Sequence, residues 1–260
     1  MRNLDELLGD SGMRLMVRAE MVTATASYTV VDDGWAILTG MGGGAGGSRS
    51  AAPGNSAPWG VKMVAVRAGD VIDFVIGAGG GVASADGSPA PAGGTTLVRQ
   101  NGATLMTCQG GDAGPASPTA RSPVAATVAG ADFWLRGRQP MGGGVAPMAG
   151  AAVDLGGKTY NLNTSTGDHA VALAGGVDGQ PRGAYVWPWD ITLFGGAAGD
   201  PGVGAPNNSA LSGMFAGGSG STDTSTKSAP GRGASAGRGD TGARNGGDGL
   251  GYIRLFKRLV

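Results

Sequence analysis

Beyond Thr23 the chain is written in short runs whose apolar residues fall at every second position, the period of a strand with one buried face. The expected strands are Ser27–Val31, Gly34–Thr39, Val61–Arg67, Val71–Ile76, Thr95–Gln100, Ala103–Cys108, Asp132–Arg136, Lys158–Leu162, Ala170–Leu173, Ala184–Trp187, Trp189–Phe194 and Gly251–Leu259. Two of the joins are informative in themselves. Arg67-Ala68-Gly69-Asp70 turns the chain between two apolar runs. Asn101-Gly102 joins TTLVRQ to ATLMTC with the residue pair that a type I′ hairpin favours.

Only Leu4–Val17 reads differently. Leu4, Leu7 and Leu8, then Met13, Leu15, Met16 and Val17, give an apolar face at helical spacing, broken by GDSG at Gly9–Gly12. So short a helix is not stable alone, which makes it an expected docking element. Residues 1–22 are therefore read as an anchor and residues 23–260 as one β domain.

Many of the strands run into glycine. GWAILTGMGGGAGG (Gly34–Gly47), VIDFVIGAGGG (Val71–Gly81), TLMTCQGGDAG (Thr104–Gly114), AVALAGGVDG (Ala170–Gly179) and WDITLFGGAAG (Trp189–Gly199) repeat the same handover. Glycine loses the most entropy on ordering, so a fold that uses it this way must recover the loss by packing. Polyproline-II segments without side chains can approach until their backbone amides and carbonyls bond to one another. The stretches between the glycine runs are rich in Ser, Asn, Asp, Pro and Thr, the residues of exposed turns. If the glycine runs point one way from a β base, these turns collect at the tips, where a rigid scaffold presents loops.

Composition sharpens this picture. Glycine (54) and proline (14) exceed a quarter of the 260 residues, a level usually associated with disorder. The unbalanced charge that keeps a disordered chain solvated is missing: the formal net charge is +0, charged residues are 15% and the hydrophobic class is 41%. An ordered fold is expected. The same neutrality argues against nucleic-acid binding, which depends on Lys and Arg at phosphates. Arg254, Lys257 and Arg258 in YIRLFKRLV read as a solvated strand face. A strict Gly-X-Y period is absent, which excludes collagen.

Chemistry is scarce. Cys108 is the only cysteine and His169 the only histidine, which removes intrachain disulfides, thiolate clusters and most triads. Gly42–Gly47 satisfies a GxGxxG spacing, but no helical pattern follows it, as a dinucleotide site requires. Arg238-Gly239-Asp240 sits where those residues are interspersed and reads as coincidence. Asp86-Gly87, Asp178-Gly179 and Asp248-Gly249 lack the tandem calcium-binding repeat. No cofactor or metal is expected, and no catalytic residue is assigned. The N-terminus has no long apolar core and carries Asp5 and Glu6 where a signal peptide is basic, so export by the secretory route is not expected.

GWAILTGMGGGAGG, VRAGDVIDFVIGAGGG, GGTTLVRQNGATLMTCQGGDAG and the closing NGGDGLGYIRLF occur in an order that resembles the glycine-rich domain of bacteriophage tail-fibre and adhesin proteins. The resemblance runs over most of residues 28–256 and is poor across Ser117–Gly183. It implies a virion protein whose polyglycine-II helices stack and whose tip loops meet a host surface receptor, a polysaccharide or an outer-membrane protein. It further implies other virion proteins as partners through the N-terminus, and a homo-oligomer, a trimer by analogy with fibres. The chain departs from the distal adhesins in its fewer, shorter glycine blocks and its lack of a large attachment domain.

The fold expected is all-β: a glycine-rich, sandwich-like body with polyglycine-II or extended tips and a short N-terminal helical anchor. Receptor-contact candidates are Trp59, Trp187 and Trp189, which flank prolines, with Asn207, Asn208, Phe215 and Asp223 in the polar segments. Trp35 and Trp134 fall inside strand patterns and are expected in the core. Anchor candidates are Leu4, Leu7, Leu8, Met13, Leu15 and Met16. The expected function is receptor binding without chemistry. The alternatives are a purely architectural virion protein, such as a capsid decoration or fibre-joining subunit, and a polysaccharide depolymerase.

Overall fold

The alternation of apolar positions resolves into paired strands. A computed structural model describes residues 14–47, 54–85, 87–114, 125–135, 137, 150–155, 158–163, 185–186, 191–192, 233 and 245–258. In chain order the strands are β1 (Arg14–Val22), β2 (Ala26–Thr29), β3 (Gly34–Met41), β4 (Trp59–Val66), β5 (Val71–Val75), β6 (Thr96–Gln100), β7 (Ala103–Cys108), β8 (Val128–Ala129), β9 (Phe133–Leu135), β10 (Gly150–Leu155), β11 (Lys158–Asn163), β12 (Tyr185–Val186), β13 (Ile191–Thr192) and β14 (Leu250–Arg258). A 7-stranded sheet has the order β1-β14-β3-β4-β9-β10-β11, and a 5-stranded sheet the order β2-β5-β6-β7-β8; β12 and β13 form a separate pair. Each pairing is antiparallel. The described residues are all-β, with no helix among them.

The N-terminal helix expected over Leu4–Val17 is not shown: residues 4–13 lie outside the described residues, and Arg14–Val17, its last four positions, belong to β1. From Arg14 to Val22 the chain pairs with β14, Arg14 opposite Arg258 and Val22 opposite Gly251, with a bulge between Met16 and Arg18. Clustered apolar residues fit either period. A row of unpaired amides and carbonyls along β14 then decides for a strand, since tertiary pairing outweighs the propensity of one helical turn. Leu4, Leu7, Leu8 and Met13 lie outside the described residues; Leu15 and Met16 are strand residues, half exposed.

The two larger sheets face each other across one core. Ala36 and Leu38 on β3, Val66 on β4, and Ile253 and Leu255 on β14 meet Ile72 and Phe74 on β5, Val98 on β6, Met106 and Cys108 on β7 and Val128 on β8. Full burial of a side chain such as Phe74 contributes about 2–3 kcal/mol, and its ring takes Tyr28 edge-on at 6.2 Å. Between the sheets, glycine sets the spacing. Gly251, Gly40 and Gly60 stand side by side across β14, β3 and β4. A Cβ at Gly40 would lie 2.9 Å from Cys108 Sγ and 3.0 Å from Met106 Cε, and one at Gly251 would enter the Phe74 ring. The opposing side chains therefore rest on bare backbone.

Of the two expected hairpins one is present, Asn101-Gly102 between the paired strands β6 and β7. Arg67–Asp70 instead carries the chain from β4 in the 7-stranded sheet to β5 in the 5-stranded sheet, which do not pair with each other. Asn101 and Gly102 have φ of 51° and 80°, the pair of positive angles a type I′ turn needs. Asp70 holds this end of the domain together: it accepts from Arg67 N at 2.8 Å, Gln100 Nε2 at 2.8 Å and Asn101 Nδ2 at 2.7 Å. Those bonds, Asn101 first, hold its carboxyl below the usual range.

Candidate functional site at the glycine end

At the end opposite these turns, Met41 on β3 is level with Trp59 on β4 and Leu250 on β14, and Thr96 on β6 with Cys108 on β7. Here β3, β5 and β7 run out into residues 42–47, 77–83 and 109–114. Residues 54–58, 90–95 and 245–249 run in towards β4, β6 and β14. Every residue from 41 to 47 and from 54 to 60 is buried.

Segment 42–47 is the hub. Gly42 and Ala45 donate their amides to Pro58 (3.4 Å) and Asn55 (3.1 Å), both in the segment entering β4. Gly43 and Gly46 donate to Gly94 (2.9 Å) and Pro91 (2.8 Å), both in the segment entering β6. Gly44 donates to Gly247 (2.8 Å), in the segment entering β14. Every third amide thus faces the same neighbour. The carbonyls repeat the rule: Gly44 and Gly47 accept from Gly80 (2.8 Å) and Ala83 (2.9 Å) of the segment leaving β5, while Gly43 accepts from Gly111 (2.8 Å) of the segment leaving β7.

The neighbours are also bonded to one another. Asn55 donates to Asp112, Gly93 to Gly111, Gly94 to Ala78, Gly246 to Gly80, Gly233 to Asp248 and Ala57 to Gly233, which closes a ring around the hub. A Cβ at Gly43, Gly46, Gly79, Gly93 or Gly111 would come closer than 3.0 Å to a neighbour's backbone. Ala45 is the exception within the hub, and its methyl lies where Gly54 of the adjoining segment has no side chain. Relative to Ala, ordering a glycine costs roughly 0.5–1 kcal/mol; a net hydrogen bond contributes about 1 kcal/mol. One bond per residue is enough to offset the loss.

Side chains fix the array where glycine cannot. Asp112 Oδ2 accepts from Asn55 Nδ2 (3.1 Å) and from the amides of Ala125 (3.0 Å) and Ala126 (3.3 Å). Asp248 Oδ1 accepts from Gly79 N at 3.0 Å, and Thr96 Oγ1 from Gly77 N at 3.0 Å. Sequence reasoning did not single out Asp112. The signal was present in the repeated Gly-Gly-Asp of Gly110–Asp112 and Gly246–Asp248. Beyond the array, the connection from Val82 to Pro89 turns over with Ser88 donating to Ala85 (3.1 Å), and Ser84, Ala85, Gly87 and Pro89 are exposed.

Of the receptor-contact candidates, Trp59 is fully buried, edge-on to Phe133 at 5.6 Å, so it offers no surface to a ligand. Trp187, Trp189, Asn207, Asn208, Phe215 and Asp223 lie outside the described residues. Trp35, expected in the core, points to the outer side of the 7-stranded sheet and is 39% exposed; Trp134 packs against the core. His169 lies outside the described residues. Cys108 is buried, and that burial pushes its thiol far above the ordinary range against a smaller opposing contribution from a backbone hydrogen bond with Gly60. Such a thiol is neither nucleophile nor ligand at neutral pH. Among the described residues no group of three or more His, Cys, Asp or Glu is arranged to hold a metal. No protein-family model matches the chain, and no curated protein matches it at a significant level.

Proposed function

We propose that the glycine segments are a polyglycine-II bundle and that the bundle is the stiff stem of a recognition device: a tail-fibre or spike component of a phage virion that binds a bacterial surface receptor without chemistry. The observation that carries this reading is the every-third-residue direction of the amides of 42–47 inside a closed ring of neighbours. A helix of three residues per turn produces that pattern. Seven residues, as in 77–83, then span about 20 Å at a rise of about 3.1 Å each.

A stem built this way separates two demands. Its interior is fixed by backbone bonds and accepts almost no side chain, while the sequence between the glycine runs is rich in Ser, Asn, Pro and Asp. Recognition sits best on such loops held by a rigid base. Trp187, Trp189, Asn207, Asn208, Phe215 and Asp223 remain the proposed receptor contacts, together with the exposed Ser84, Ala85, Gly87 and Pro89. Attachment to the particle is assigned to residues 1–13, because Arg14–Val22 belongs to the sheet.

The test is adsorption of the purified, fluorescently labelled chain to host cells. Replacing 84–89, 201–211 or 222–230 by Gly-Ser of equal length is expected to abolish adsorption while the melting profile stays unchanged. Adsorption untouched by all three replacements rejects the reading. A chain that never adsorbs yet is required for particle assembly is architectural, and release of reducing ends from host polysaccharide identifies an enzyme.

A further inference from the structure

The 7-stranded sheet ends at β1, whose far side carries no strand among the described residues. Open edges are usually blunted by charged side chains, lysine above all, by proline or by a bulge, and of these β1 has a bulge between Met16 and Arg18 and three charged residues. β1 reads RLMVRAEMV, with neither proline nor lysine, and exposes Leu15 (51%), Met16 (53%) and Val17 (44%). Its charges within the regular part of the strand are Arg18 and Glu20, two residues apart and on the same face, joined at 2.6 Å and both partly exposed.

We propose that β1 is the docking edge for a second copy of this chain, the two strands pairing antiparallel about a two-fold axis at Ala19. Reversal of the strand direction about that point sets Arg18 opposite Glu20 of the partner subunit and Glu20 opposite the partner's Arg18. An axis one residue later would oppose Glu20 to itself, so the charges choose the register. Opposite charges directly across an antiparallel pair stabilise it, and like charges destabilise it. Beyond the bulge between Met16 and Arg18 the regular ladder runs from Arg18 to Val22 and so contains both charges, while the bulge splays the apolar residues before it. A two-fold pairing uses the same patch on both copies and is complete with two. This edge therefore builds a dimer, and not the trimer that the fibre resemblance implies. The inference rests on β1 alone and stands or falls separately from the receptor-binding reading.

Sedimentation velocity on the full chain decides it. The native chain is expected to be a dimer that dissociates on dilution. Arg18→Glu and Glu20→Arg each turn both charge crossings repulsive and are expected to weaken the dimer at least about tenfold. Mixing the two variants in equal amounts restores dimers, because both crossings then set a carboxylate of one variant against a guanidinium of the other. In each variant the contact within the chain remains broken, so the recovery cannot come from inside one subunit. Far-UV circular dichroism establishes that both variants are folded. Should either fail to fold, Ala19→Cys with a short bismaleimide gives a covalent dimer at the axis if the pairing holds, the native Cys108 being buried. A native chain monomeric at every concentration, single variants that associate undiminished, a mixture that stays monomeric, or an Ala19→Cys chain that resists cross-linking overturns the proposal.

Discussion

The amide of Gly46 lies 2.8 Å from the carbonyl of Pro91, while its α-carbon faces the backbone of Gly80 and Gly81 with no room for a methyl group. Gly46→Ala forces a Cβ against the backbone of Gly80 and Gly81, where no flexible side chain can yield. The expected cost is about 1–3 kcal/mol, read as a lower melting temperature. Gly81→Ala is the control. Nothing lies within 4 Å of its added Cβ, and the smaller entropy of the unfolded chain is expected to stabilise by about 0.4–1 kcal/mol. Equal losses at the two positions would contradict the packing described.

Between the sheets the same test has a compensating partner. Gly251→Ala drives a Cβ into the Phe74 ring, for an expected loss of about 1–3 kcal/mol. Phe74→Leu alone is destabilising by removal of buried ring atoms, but it makes space at that spot. The double variant is expected to lose less than the two single losses combined, by at least about 0.5 kcal/mol. Simple additivity in denaturant titrations would place the two residues out of contact.

Acid acts on the turn end through Asp70. The Asp70 carboxyl is held below its ordinary value by hydrogen bonds from Asn101, Arg67 and Gln100, in that order. A depressed folded value means that the contribution is complete above the unfolded value of 3.8 and is lost as pH falls through the lower, folded one. Asp70→Asn should flatten this part of the acid-unfolding curve while lowering stability at neutral pH. An unchanged acid limb would exclude Asp70 as a source of the acid sensitivity.

Cys108 gives a built-in probe of opening. Buried at 0% exposure and shifted away from the thiolate, it is expected to react with a thiol reagent at neutral pH only when the sandwich opens. Labelling should therefore slow in step with any stabilising substitution in the core. Rapid labelling of the native chain would show that the β7 end of the core opens independently.

Much of the β body was legible because its strands carry side chains at alternating positions. Ala103–Cys108 coincides with the expected span, and β3, β5, β6 and β14 differ from theirs by a residue or two at the ends. β1 was misread because Met13, Leu15, Met16 and Val17 are too closely clustered to distinguish two periods, and the deciding factor, the open side of β14, lies far away in sequence. Trp59 was placed at a loop because Pro58 precedes it; its burial follows from Phe133 on β9, a neighbour that only the sheet order supplies. For the glycine runs the sequence suggested segments bonded to one another, but not which neighbour each amide of 42–47 meets. A residue without a side chain records nothing of which way its amide points.

That arrangement sets a counting rule for change in the chain. One residue inserted within 42–47 rotates every following amide by a third of a turn, so that donors meant for Gly94 and Pro91 turn towards another rod. Three inserted residues restore the original bearings. If the bundle is the stem proposed above, lengths should drift in triplets inside it and without that restriction in the loops past it, so that new loops can be fitted to an old stem without retuning it.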